Sequence, residues 1–250
     1  MILLPGVVAE LARELIAMPG AVAVTLGGSR ALGTHDETSD WDLGVYYRGT
    51  LDFSALAAHG IVYPPGSWGR LMNGGAWLRL GGTRIDVLLR DLDVVEHWTR
   101  RSELGEFEID ALPGYVAGVP TYLLGAELAS NRLLHGTHSA APYPEKLKTA
   151  GPPKWRFCRS FSLEYARAHA RRGNVVGASA QAAKAVFEEA HAIMCERGRW
   201  MCNEKHLIAA AGLSAVQASF ERIRPDSASL VRWVEEIAGR LHAEQDETWP

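Results

Sequence analysis

The stretch from Leu26 to Tyr47 constrains the chain most, because it forces a strand, a tight glycine turn and a second strand carrying two acids into twenty-two residues. The apolar run Ala21 to Leu26 stops at Gly27-Gly28, which fits a buried strand ending where the backbone must approach something closely. Ser29 then opens a short helix. The first amides of a helix are unpaired and point outward, so a phosphate fits against Gly28 and Ser29, and Arg30 adds positive charge. Thr34 to Ser39 is a polar turn, and Trp41 to Tyr47 reads as the second strand.

Asp40 and Asp42 flank Trp41. Residues two apart on a strand share a face, so the two carboxylates converge while Trp41 points the other way. Held together they repel, and one takes up a proton unless a cation sits between them. Hard oxygen ligands suit magnesium. A phosphate cradle beside an acidic metal site is what phosphoryl or nucleotidyl transfer requires.

Gly28-Ser29 followed by Ser39-Asp40-Trp41-Asp42-Leu43 resembles the signature of the nucleotidyltransferase superfamily typified by DNA polymerase beta, in its small stand-alone and antibiotic-modifying branches. The resemblance covers the first ~90 residues specifically and the rest only in layout. It implies two magnesium ions held by Asp40 and Asp42, with a third acid on a neighbouring strand. Arg84-Ile85-Asp86-Val87-Leu88 resembles that third motif in sequence and in position, which implies that Asp86 completes the catalytic and metal site. The residues themselves leave a second option open: an acid inside an apolar strand also pairs well with Arg84 or Arg79 across a hairpin.

That hairpin is expected from Ala76 to Leu89, turning at Gly81-Gly82. Before it come a helix over Val7 to Met18, stopped by Pro19-Gly20, and a short helix over Thr50 to Ala58. After it come a helix over Asp91 to Arg101, an acidic exit holding Glu103, Glu106 and Glu108, and a helix over Pro120 to Leu134. Thr137 to Pro153, with four prolines, reads as a linker, and from Lys154 onward only helices are expected: to about Arg171, over Val175 to Glu196, to Ala211, over Ser214 to Ile223 and over Asp226 to Gln245. The expected fold is α+β. A mixed-sheet nucleotidyltransferase domain (1–136) and a linker (137–153) precede an α-helical bundle domain (154–250).

The resemblance places a nucleotide between the two domains, where Lys205 is the candidate phosphate cation; Lys184 and His35 are weaker candidates, each explained as well by an exposed surface position. Trp77, Trp98 and Trp233 sit where core packing explains them. A net charge of −3 gives no basic footprint, so extended nucleic acid is disfavoured as a partner, and with it a polymerase or tRNA-end enzyme. Three scattered cysteines suit reduced, mostly buried thiols, and with no leader or membrane-length run the expected compartment is the cytoplasm.

The resulting expectation is an enzyme that moves a nucleoside monophosphate from a nucleoside triphosphate such as ATP to a hydroxyl of a small acceptor, of aminoglycoside or lincosamide kind. The alternatives are a nucleotidyltransferase that modifies protein side chains, as in toxin-antitoxin systems, and a catalytically silent nucleotide-binding module.

Overall fold

The computed structural model describes residues 3–140 and 142–242, and the chain divides into two compact units. The first comprises Met1–Arg101 and Thr121–Pro142. Its helix α1 (Gly6–Ala17) follows Pro5 and buries Val8, Leu11, Ala12 and Leu15, an i, i+3, i+4, i+7 stripe. Strand β1 (Ala21–Leu26) runs into helix α2 (Gly28–Leu32), and strand β2 (Trp41–Tyr47) follows the polar turn. A 3₁₀ turn (Ser54–Ala58) precedes strand β3 (Gly60–Tyr63), short helix α3 (Gly69–Met72) and strands β4 (Gly74–Leu80) and β5 (Thr83–Asp91). The β4–β5 turn places Gly81 and Gly82 both at positive φ, as a two-residue hairpin of type I′ demands. Helix α4 (Leu92–Glu103) closes this run, with Trp98 buried.

Two very short strands, β6 (Ile109–Asp110) and β7 (Val119–Pro120), pair with each other. Helix α5 (Leu123–Ser130) and strand β8 (Arg132–Gly136) complete the first unit. The sheet order is β3-β4-β5-β2-β1-β8; β2 and β5 are parallel and every other pair is antiparallel. One face carries the core of Val24, Leu26, Leu43, Val45, Val87 and Leu89 packed with α1. The mixed sheet is therefore as expected, with two additions. Residues 132–136, of which 132–134 were expected to end a helix closed by His135-Gly136, form an edge strand because Asn131 turns extended at the end of α5 and His135 pairs with Val24. Strand β3 was not expected beside Pro64-Pro65; pairing of Ile61 with Trp77 holds it.

The second unit comprises Ser102–Pro120 and Tyr143–Pro250. Its helices are α6 (Glu145–Arg171), α7 (Val175–Glu196), α8 (Leu207–Ala211), α9 (Gln217–Phe220) and α10 (Ser227–His242). A 3₁₀ turn, Ser214–Val216, leads into α9, so the expected helix over Ser214 to Ile223 is two short pieces. The segment expected as a linker is helical from Glu145, with Pro152 and Pro153 inside α6. Residues 243–245 of the expected last helix lie outside the described residues. Small residues Ala178, Ala182, Ala185 and Ala190 on α7 pack with Leu163 and Ala166 of α6 and with Leu230, Trp233 and Ile237 of α10. Asn174 caps α7 by accepting a hydrogen bond from Gly177 N at 2.9 Å.

The 102–120 segment is tied into this unit by Glu204, whose carboxylate accepts from Val116 N at 2.5 Å and Ala117 N at 2.8 Å. Cys195 is buried, Cys158 and Cys202 are half-buried, and all three are free thiols. Among the described residues no helix is long and apolar enough to cross a membrane.

Candidate active site

Parallel pairing of β2 and β5 sets Trp41 beside Ile85, Asp42 beside Asp86 and Leu43 beside Val87. Paired residues share a face, so Asp42 and Asp86 stand next to each other on the side away from α1, while Ile85 and Val87 are fully buried beneath them. Both acids are half-buried. The adjacency of Asp42 and Asp86 is thus a consequence of register.

Asp42 also reaches sideways. Its backbone oxygen accepts from Gly27 N at 2.8 Å, which fastens the glycine turn to β2. Gly28 has φ +60°, and a Cβ built there would overlap the Asp42 carboxylate outright. The carboxylate therefore lies against the turn where the first amides of α2 are exposed. Gly28→Ala is expected to displace Asp42 and to carry the strain of a left-handed alanine, together about 1–3 kcal/mol of stability. Calorimetry with a non-hydrolysable triphosphate should show binding lost. Gly33 supplies the control: it has φ +74° but nothing within 4 Å of its Cβ position, so Gly33→Ala should carry the backbone strain and leave affinity unchanged. Equal affinities in the two variants would remove the Gly28 turn from the site.

Arg30 is turned inward. Its Nε donates to Asp40 O at 3.0 Å and its Nη2 to Ser39 O at 2.6 Å, while the guanidinium lies 4.2 Å from the Trp41 ring centroid. In this structure the guanidinium clamps the turn that leads into β2. That turn is further knit by Asp36, which accepts from the Thr38 hydroxyl, from Thr38 N and from the Ser39 hydroxyl; these bonds, the Thr38 hydroxyl's first, hold its carboxyl below the usual carboxylate range. His35 is exposed in the same turn.

Asp40 precedes β2 and pairs with Arg84: Nε lies 2.6 Å from Oδ1, an ion pair by distance though not aligned as a hydrogen bond. Arg84 also donates to Thr38 O. Arg84, one of the partners considered for Asp86, thus pairs with Asp40. Half-exposed pairs of this kind contribute about 0–1 kcal/mol and exchange easily. Consistent with it, no group of three or more His, Cys, Asp or Glu among the described residues is assembled as a metal site. Magnesium commonly binds through one or two protein carboxylates, with water and substrate phosphates supplying the rest. Asp42 and Asp86, adjacent in register and beside the glycine turn, fit that donor set; Asp40 would join it only after leaving Arg84.

Sequence reasoning missed the polar support on the same face. Asn131 Nδ2 donates to Thr25 Oγ1 at 3.3 Å and to Tyr46 OH at 3.4 Å, and its Oδ1 sits 3.0 Å from a Cβ position on Gly27. Further along β5, buried Arg90 makes a bidentate pair with Glu127 of α5 at 2.6 and 2.7 Å. These partners are far apart in sequence and share no local motif.

Residues 8–104 match the family model of the nucleotidyltransferase domain. That stretch is a nucleotidyltransferase domain. The matched stretch contains Gly28, Ser29, Asp40, Asp42 and Asp86 and ends before α6. Among solved structures, a nucleotidyltransferase-like protein from Exiguobacterium sibiricum 255-15 is similar at 14% identity over 96% of this chain and 80% of that one, with a TM-score of 0.44. A likeness that distant carries no argument about the site. No curated protein matches the chain.

In the second unit, Lys205 is exposed in the turn before α8, its backbone N donating to Asn203 Oδ1 at 3.0 Å. Lys184 lies 3.9 Å from Glu188, whose side chain is buried; burial pushes that carboxyl up to about 7.

Proposed function

We propose that the nucleotidyltransferase moves a nucleoside monophosphate from a nucleoside triphosphate to a hydroxyl of a small-molecule acceptor, with magnesium bound by Asp42 and Asp86 and joined by Asp40. The acceptor oxygen attacks the α-phosphorus, the bond to the bridging oxygen breaks, pyrophosphate leaves and the acceptor proton passes to Asp86. General-base help of this kind contributes about 10²–10⁴-fold in rate. When bound, magnesium neutralises charge on the phosphates and aligns the attacking and leaving oxygens. The chain's own share is to present the Gly28–Ser29 amides to the triphosphate and to hold two carboxylates at fixed spacing.

The observation that carries this reading is the Asp42 carboxylate packed against the Gly28 turn while standing in register with Asp86. A phosphate on those amides meets a carboxylate at close range. At 4 Å such like charges repel by about 4 kcal/mol even at an effective dielectric of 20, so the arrangement is productive only with a cation between them.

Incubation with each α-³²P-labelled triphosphate, magnesium and a panel of polyhydroxyl small molecules tests the reading. Label should appear in a small-molecule product with release of pyrophosphate. Label on protein would favour side-chain modification, label on RNA a polymerase-like activity, and no transfer with intact triphosphate binding a silent module; each of these overturns the small-molecule proposal.

A further inference from the structure

The register that sets Asp42 beside Asp86 continues across the sheet. Asp86 pairs with Trp77 of β4, and Trp77 pairs with Ile61 of β3, so Asp42, Asp86, Trp77 and Ile61 form one row on one face. Directly opposed residues on antiparallel strands stand about 4.5–5.5 Å apart, which sets the Trp77 side chain next to the third acid. Trp77 is not the core residue its strand position suggests. Its neighbours Ala76 and Leu78 are 0% and 4% exposed, whereas Trp77 is 50% exposed on the opposite face.

It does not stand alone there. The Tyr63 ring lies 4.8 Å from Trp77 edge to face and 5.1 Å from Trp68, and Trp68 lies 5.9 Å from Trp77. Gly75 makes room for this cluster, because a Cβ at that position would come within 2.8 Å of the Trp68 ring. Three rings brace one another while half of Trp77 remains open beside the acid. Half of a tryptophan ring left in water beside an acid offers a face on which another ring can stack.

We infer that Trp77, braced by Tyr63 and Trp68, is the wall of an acceptor subsite that selects hydroxyl compounds carrying a ring, either a sugar ring or a nucleoside base, over open-chain alcohols. The inference rests on the proposed transfer, in which the acceptor hydroxyl must come to Asp86: an acceptor placed there lies within one strand spacing of Trp77. Trp77 is a specificity residue in this scheme and takes no part in proton transfer.

The test uses methyl α-D-glucopyranoside and uridine as ring probes, and glycerol and 1,2-propanediol as open-chain probes. Tryptophan fluorescence of the full chain, with magnesium and a non-hydrolysable triphosphate present, should change on titration with one or both ring probes and not with the open-chain ones. The change should vanish in Trp77→Phe, whose thermal midpoint verifies its fold. In transfer assays Trp77→Ala should raise KM for the ring acceptor by about tenfold or more, the scale of a lost stacking contact, with a smaller change in kcat. Response to the glucoside alone assigns a sugar subsite, and to uridine alone a base subsite. Fluorescence changes without any transfer would support the subsite and overturn the reaction. Transfer that treats ring and open-chain acceptors alike, or a KM unmoved in folded Trp77→Ala, would overturn the subsite and leave the reaction standing.

Discussion

Asp86→Asn is expected to lower nucleotidyl transfer by at least 10²–10⁴-fold, the range for loss of a general base, with a further loss from the weakened metal site. The substitution keeps shape and removes one charge from a half-buried position beside Asp42. Because Arg84 is paired with Asp40, the change does not strand that guanidinium, and the fold should survive it. Binding and chemistry should separate: triphosphate affinity falls modestly, since the Gly28–Ser29 turn and Asp42 remain, while turnover collapses. Asp42→Asn should lose both. Thermal melting gives an independent reading, because wild type in magnesium and triphosphate at a hundred times Kd gains about 2.7 kcal/mol by linkage. Asp42→Asn should gain almost nothing. A fully active Asp86→Asn protein would mean that the third acid is misplaced, and exposed Glu103, Glu106 and Glu108 would be the next to test.

The reach of the sequence can be judged at these same residues. The places of Gly28, Asp42 and Asp86 in the fold were legible because each depends on local pattern: a glycine pair after an apolar run, and acids on the polar phase of strands whose other phase is buried. Strand register follows from that alternation, since a slip of one residue would turn Ile85 and Val87 out of the core. What was illegible depends on the partner of a side chain. Arg84 shares a strand face with Asp86 and pairs with Asp40 in the preceding turn, and Arg30 holds the backbone of Ser39 and Asp40, contacts that no local motif announces. Strand β8 exists because β1 offers it an edge, which no local propensity encodes. Pro152 and Pro153 punctuate a linker in sequence but lie within a helix whose packing on α7 overrides the cost of each proline. Trp77 failed for the opposite reason: its position suggests burial, and the structure leaves it open at the site.

Glu127→Ala is expected to be the most destabilising change outside the core. Arg90 is 1% exposed, and its guanidinium is fully committed: Nε and Nη2 to the Glu127 carboxylate at 2.6 and 2.7 Å, and Nη1 to the carbonyls of Met72 and Leu89 at 2.9 Å each. Removing the carboxylate takes its anionic partner from a buried cation, which costs about 3–5 kcal/mol. For a chain of this size that corresponds to a midpoint lower by roughly 6–20 °C, at about 2–4 °C per kcal/mol. The pair need not be stabilising as such, because its desolvation offsets much of its attraction. Replacing both members together, as Arg90→Met with Glu127→Leu, should therefore recover most of the loss. Functionally the pair fastens α5, and α5 ends at Asn131, whose amide supports Thr25, Tyr46 and the Gly27 turn. The double variant should accordingly fold, yet bind triphosphate more weakly if the pair also sets where α5 ends. Denaturant melts of the two variants decide the matter: a single substitution costing under about 1 kcal/mol would place the pair among solvated ion pairs and cut this link between the helix and the site.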